Sequence, residues 1–502
     1  MSRYARFVWS VAAAVVVTAA VPVAARAGDG VGRYEAQELV WGPCDQEGAL
    51  ECASMTVPRD WRHPGVGADL TVEVSRHRAA DPAKRRGVLM MAAGGPGASG
   101  LGRPAGFVAA SPEVGAVYDV VSFDQRGVGA SSRAVCQTDD QFRDFYAGDF
   151  RDRSPGALRG VVERSREFVR GCLAGGDLVR YLDTDQAVHD MDLFRELLGV
   201  RKISYYGPSY ATWLGAYYAT EFPQHVERAV LDSNLAFDGS WEQAELGQPM
   251  SFQRRFEQDF LPWIAKYDSV YHYGGTAAGA KATWEARRAA LRERPLTVGS
   301  STIGPNQLDN ATIQGMYNAG LWPSLASVLA SLEHWDTTTA AERQRAAKTF
   351  ANYLSPGFNA VYFPVTCNDT PWNRDLGHWV RQSAADTEKY PLLGARELAY
   401  ASVCAFWPAS DAPHVKVTGK GLPPTLMLNS VHDPATYYEG ALRAHRALKG
   451  SRLVTVAGGG DHGQYQNGNA CVDSVVDAYL VEGKVPAHDL ECAANSLPVP
   501  TS

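Results

Sequence analysis

Lys202-Ile-Ser-Tyr-Tyr-Gly207-Pro-Ser209-Tyr-Ala211-Thr-Trp-Leu-Gly-Ala-Tyr-Tyr-Ala219 joins a β-branched and aromatic run to a long apolar stretch of helical character. A glycine ends the first part, and a serine follows two residues later. The pattern predicts a strand, a sharp turn and a helix, with Ser209 at the apex. Such a turn lifts a serine hydroxyl above the carboxyl end of a sheet. The small neighbours let strand and helix approach closely while the serine holds a strained backbone. Ala211 stands where a second glycine would complete G-x-S-x-G, and Pro208 fixes φ just before the serine. Taken alone, Ser209 also fits a plain helix start, so the reading depends on its surroundings.

The segments on either side supply a parallel sheet. Gly87-Val-Leu-Met-Met-Ala-Ala93 is a continuous apolar run, as in a strand buried on both faces. It ends in Gly94-Gly-Pro-Gly97-Ala-Ser-Gly100, a loop whose N–H groups suit an oxyanion. No lysine follows to make it a phosphate loop. Tyr118–Phe123 is a second buried strand. It leads into Asp124-Gln-Arg126-Gly127, where Asp124 and Arg126 are read as braces of loops. Asp185–Leu198 repeats Val188, Met191, Phe194 and Leu198 on one helical face, and Gly199 ends it. Arg228–Asp232 is a further strand. Strands near 55–61 and 69–78 precede these, and residues 139–182 read as polar helices. Alternating strands and helices imply a mainly parallel sheet with right-handed crossovers.

From about 235 to 400 the character changes to helical periodicity, rich in Trp, Tyr, Ala and Arg, with no clear buried strand. Helices are expected within 241–273, 283–294 and 312–334. The sheet resumes at Pro424–Asn429, followed by Val431-His-Asp433-Pro-Ala-Thr436, and again at Arg452–Ala457, followed by Gly458-Gly-Gly-Asp461-His462-Gly463. A closing helix is expected over 471–480.

Ser209, Asp433 and His462 thus each follow a separate expected strand, in the order Ser, Asp, His. That is the order of an α/β-hydrolase fold. In this chemistry His462 takes the Ser209 proton and returns it to the leaving group, while Asp433 holds the imidazole tautomer. Backbone N–H groups of Tyr210 and Gly95, with Gly94 the alternative to Gly95, would meet the oxyanion. Asp232 also ends a strand and is the rival acid.

Composition narrows the class. The chain has 502 residues, 21% of them charged, and a net charge of −7. With no basic patch, a nucleic-acid partner is not expected. Arg3 and Arg6 precede an apolar stretch from Phe7 to Val23, and Ala25-Arg26-Ala27 offers a cleavage site, the pattern of a secretory signal peptide. A mature form without a membrane span and an extracellular location follow as expectations. Eight cysteines, an even number, suit disulfides in that compartment. Their clustering suggests the pairs 44–52, 136–172, 367–404 and 471–492. No C-x-x-C, zinc-protease motif or dinucleotide fingerprint is present, so neither metal nor cofactor is expected.

The chain resembles the secreted tripeptidyl aminopeptidases of Streptomyces and related actinobacteria, which belong to the prolyl-aminopeptidase-like α/β-hydrolase serine peptidases. The resemblance runs from about Trp41 to Cys492. It rests on Gly94-Gly-Pro-Gly97, Asp124-Gln-Arg-Gly127, Tyr206-Gly-Pro-Ser-Tyr210, Cys367-Asn-Asp369, Cys404-Ala-Phe-Trp407, Val417-Thr-Gly-Lys-Gly-Leu-Pro-Pro424, Asp433 and His462-Gly463. Ala98, Ala211 and Tyr437 depart from the family pattern. The change of character over 235–400, at this point of an α/β hydrolase, reads as a lid over the active site, and the resemblance implies release of tripeptides from free N-termini of peptides.

The expected organisation is a signal peptide at 1–27, the first part of the hydrolase core at 28–234, a lid at 235–400 and the C-terminal part of the core at 401–502. Reading a substrate ammonium calls for a carboxylate in a closed cleft; Asp369 is the candidate, with a structural aspartate as the competing reading. Trp372 and Trp407 could line subsites or simply pack. An esterase or lipase-like hydrolase on the same triad is the alternative activity, and a non-catalytic binding protein on this scaffold is the third.

Overall fold

The ten strands of the main sheet are laid down so that the chain reverses direction beside its fourth strand. The computed structural model describes residues 30–44, 49–351 and 354–500; the expected signal peptide lies outside them. In chain order the strands are β1 (Gly42–Pro43), β2 (Glu51–Val57), β3 (Leu70–His77), β4 (Gly87–Met91), β5 (Tyr118–Phe123), β6 (Ile203–Pro208), β7 (Val226–Asp232), β8 (Leu296–Val298), β9 (Ser301–Ile303), β10 (Leu426–Ser430), β11 (Arg452–Ala457) and β12 (Leu490–Ala493). The main sheet has the order β1-β2-β3-β5-β4-β6-β7-β10-β11-β12. Pairings are antiparallel up to β3–β5 and parallel from β5–β4 to β11–β12. This is the α/β-hydrolase architecture the sequence implies.

Strand order turns at β4. The chain goes from β4 to β5 on one side, then back to β6 on the other. Crossovers leave a crevice above the carboxyl ends at such a point, where α/β proteins bind ligands. The loop after β4 carries Gly94 and Gly95, and the turn after β6 carries Ser209. Topology alone therefore brings these two segments together.

Apolar side chains cover both faces of the sheet. On one, Val188, Met191 and Phe194 of the helix Thr184–Leu197 and Trp213, Leu214 and Tyr217 of the helix Tyr210–Glu221 join Val72, Val74, Met90 and Val121. Phe107, Val114, Val472, Val476 and Leu480 cover the other, with Leu89, Val120, Val230 and Val454. The helix Thr184–Leu197 starts where it does because the Asp183 carboxylate accepts the Gln186 N–H.

The insertion divides its packing. Residues between Phe252 and Phe350 build a core of their own around Phe256, Phe260, Trp263, Trp284 and Trp322. The helices Pro356–Asp369 and Glu397–Phe406 instead join the core under the sheet, and the second of them runs through residue 400. The expected helix over 312–334 is two, Pro305–Met316 and Trp322–Glu333, separated at Tyr317–Leu321. A short hairpin, β8–β9, also lies within the insertion. All four expected cysteine pairs are bonded. No helix among the described residues is long and apolar enough to cross a membrane.

Candidate active site

Ser209 sits at φ 61° and ψ −128°, a conformation costing a non-glycine residue about 1–3 kcal/mol. Its surroundings hold it there. The Ser209 N–H donates to Asp232 O at 2.9 Å, and its carbonyl accepts both the N–H and the hydroxyl of Thr212 at 2.8 and 2.7 Å. A Cβ on Gly94 would stand 3.0 Å from the Ser209 Cβ, and one on Gly207 would stand 2.6 Å from Ala211 O. The close approach associated with a second glycine is made one helical turn later, at Gly215, where a Cβ would stand 2.3 Å from the Tyr205 ring. Ala211 is fully buried without needing that space.

The His462 Nδ1 lies 3.0 and 3.1 Å from the two Asp433 carboxylate oxygens. Asp433 is completely buried, and its Oδ1 also accepts the N–H groups of Ala435 and Thr436. The Thr436 hydroxyl lies 3.3 Å from the same imidazole nitrogen. Burial depresses the His462 pKa, and the Asp433 charge and hydrogen bond outweigh it, leaving it above the ordinary histidine value. Asp232 does a different job. Its carboxylate accepts the N–H groups of Gln464 and Tyr465 and the Tyr206 hydroxyl, fixing the chain just after His462.

Ser209, His462, Gly94 and Gly95 line one cavity of about 650 Å³. Neither the Gly95 nor the Tyr210 N–H meets a protein acceptor among the described residues. Asp124 holds the glycine loop from below, accepting from the Ser99 hydroxyl and the Gly100 and Leu101 N–H groups. Arg126 makes a buried pair with Asp190. Both residues are braces, as the sequence suggests.

Residues between Trp241 and Tyr400 line one side of the cavity and grip both loops after β10 and β11. Arg255, almost fully buried, bridges Asp259 at 2.8 Å and Asp461 at 2.6 Å. His432, beside Asp433, contacts Asp259 at 3.0 Å. The His462 N–H donates to Tyr317 O at 2.7 Å, and the Tyr317 ring meets the imidazole edge-to-face.

Asp369 is placed otherwise than expected. It does not line the cavity. It is 3% exposed, and its carboxylate accepts the Thr184 N–H and hydroxyl and the Trp241 indole N–H. It caps the start of the helix Thr184–Leu197, where the helix dipole favours an anion. This is the structural role and not a substrate contact. Trp407 likewise packs, donating to Asn368. The acid that does line the cavity is Glu245, on the helix Trp241–Arg255, hydrogen-bonded by the Tyr362 hydroxyl. Behind it a smaller chamber includes Trp372, Trp379, Arg396 and Glu397. Burial raises the pKa of Glu245, and that of Glu397 well above the carboxylate range with the Asp386 carboxyl adding to it. Helical periodicity does not mark Glu245, because it cannot say which face borders a cavity.

Residues 87–270 match the model of the α/β-hydrolase fold, and residues 390–492 match that of the TAP-like proteins. The chain is 34% identical over 461 residues to the tripeptidyl aminopeptidase of Streptomyces lividans, covering 90% of this chain and 85% of that one. The chain belongs to the tripeptidyl aminopeptidase family of α/β hydrolases. It is an enzyme, a serine hydrolase of the aminopeptidase type. Serine protease Hip1 of Mycobacterium tuberculosis is 28% identical over 91% of each chain. Carboxylesterase B of the same organism is 30% identical, over 88% of this chain and 86% of that one.

Proposed function

We propose that this member of the tripeptidyl aminopeptidase family is a secreted exopeptidase that releases short peptides, tripeptides in the first instance, from free N-termini. The observation that supports it is His462, paired with Asp433 at 3.0 Å, lining the same cavity as the strained Ser209. His462 Nε2 takes the Ser209 hydroxyl proton as the oxygen attacks the scissile carbonyl. The Gly95 and Tyr210 N–H groups receive the oxyanion. The intermediate collapses as His462 returns the proton to the leaving amine. Water then repeats the sequence on the acyl-enzyme.

Residues 235–400 act as the lid of this cavity, and Glu245 takes the part first assigned to Asp369. A carboxylate lining the nucleophile's cavity is the partner that a substrate ammonium needs, and an exopeptidase must place that ammonium a fixed distance from the cut. Eight cysteines in four bonded pairs support an oxidising, extracellular setting. A second reading, an esterase on the same triad, is favoured by the likeness to carboxylesterase B.

A single unblocked decapeptide separates them. Mass spectrometry should find successive three-residue products, and the N-acetylated decapeptide should be cleaved at least about a hundredfold more slowly, the loss of one buried charge-assisted contact. Equal rates on blocked and free peptides, or p-nitrophenyl ester cleavage without peptide cleavage, would reject the exopeptidase.

A further inference from the structure

The cavity has charged side chains in both layers. Glu245 stands with Arg396 among the residues packed about Tyr362 and Tyr400 on one side of the sheet. Arg103 lines the same cavity but belongs to the other layer, at the start of the helix Arg103–Ala110, whose Phe107 packs on Tyr206 and Tyr465. The segment Tyr465–Asn467 follows His462 directly, and Gln466 ties it to that helix by donating to Phe107 O at 3.0 Å. Arg103 is therefore the cation beside the loop of the group that protonates the leaving amine.

Its guanidinium is underused. The Nε donates to Ser99 O at 3.0 Å. Neither terminal nitrogen meets a carboxylate or any other protein acceptor among the described residues. Burial lowers its pKa from the ordinary guanidinium value, with only the Tyr206 hydroxyl acting the other way. Arg255 and Arg126, by contrast, each hold a carboxylate inside the protein. A half-buried guanidinium facing a substrate cavity without a counter-ion offers two parallel donors to a carboxylate.

We propose that Arg103 receives the free C-terminal carboxylate of a short leaving fragment, making peptides only one or two residues longer than the released piece preferred substrates. The inference rests on the exopeptidase reading above. With the ammonium at Glu245 and the acyl carbon at Ser209, the remainder of the peptide leaves past His462 toward Arg103. Arg103 is a binding residue in this scheme and takes no part in proton transfer.

The test uses a tetrapeptide and a pentapeptide, each as the acid and as the C-terminal amide, beside a tripeptide anilide. In the wild type, kcat/KM should favour the acid over the amide by about tenfold or more at one of the two lengths, the effect of one charge-assisted contact. Arg103→Gln should bring that ratio to near one, and Arg103→Lys should recover part of it. Labelling of Ser209 by an organophosphonate reports that each variant is folded. A free dipeptide should also inhibit anilide hydrolysis by the wild type more strongly than its amide, which reads the same contact without a substitution. An acid-to-amide ratio near one at both lengths in the wild type, or a ratio that survives in Arg103→Gln, overturns the proposal. Cleavage of none of the peptides or the anilide would instead remove the exopeptidase reading.

Discussion

Ser209 and the carboxylates around it show how similar residues take different duties from their hydrogen bonds. Asp433 faces an imidazole, Asp232 faces backbone N–H groups, and Asp369 faces a helix start. Asp433→Asn should lower kcat by about three to four orders of magnitude through the wrong imidazole tautomer, measured on a tripeptide anilide. Asp369→Ala should leave KM for that substrate near the wild-type value and lower stability instead. It orphans three buried donors, on the order of 1–3 kcal/mol for each, read from denaturant unfolding. Glu245→Gln should raise KM for free-amine peptides and narrow the gap to their N-acetyl forms. The raised pKa of His462 has a kinetic sign: the neutral imidazole is the working base, so the acid limb of kcat/KM should lie above pH 6.5. In Asp433→Asn the larger raising charge and its hydrogen bond are gone, and Asp232 alone is left to oppose burial, so the limb of any residual activity should move to lower pH.

The elements show where periodicity informs and where it stops. Strand β4 was legible as a continuous apolar run, the mark of a strand buried on both faces, β6 as a β-branched and aromatic run ending in glycine, and β11 spans the expected residues. The elbow was legible because glycine, serine and a small residue at that spacing solve one steric problem. Gly215→Ala tests it: the new methyl would meet the Tyr205 ring, and overpacking of this kind costs about 1–3 kcal/mol, seen as a lower Tm. The edge strand β12 and the hairpin β8–β9 were missed because both are short and half-exposed, with no apolar run to announce them. The break at Tyr317–Leu321 was missed although local residues mark it: the Asn318 side chain accepts the Gly320 N–H and Pro323 stands in the first turn of the next helix, and the break leaves Tyr317 O to accept the His462 N–H. Asp369 was misjudged for a different reason. Its neighbours in sequence place it near the lid, but only the fold brings Thr184 and Trp241 onto its carboxylate.

Across the whole molecule, buried carboxylates give stability a definite pH dependence. Burial raises Asp183 to about 7, with Asp369 adding to it, and raises Asp369 and Asp232 each to about 6. A folded pKa above the unfolded value means that the native state holds protons the unfolded chain has lost. These three groups therefore favour folding at acid pH, and that contribution declines as pH rises from about 4 to about 7. Asp60 works the opposite way, held down at about 2 against its own burial by His63 and Arg62, but its contribution is lost only below that window. Denaturant midpoints should fall between pH 5 and pH 8, and Asp183→Asn should flatten the fall; a midpoint rising over that range would contradict it. The same molecule devotes two packed layers, a separate helical core and a buried arginine bridge to fixing three loops over one cavity. The most direct check on that reading is to treat the folded protein with a peptidyl organophosphonate and map the adduct. It should form on Ser209 alone, at a rate that rises with pH through the His462 ionisation and collapses in His462→Ala. An adduct on another residue, or none on a folded protein that still cleaves peptides, would contradict it.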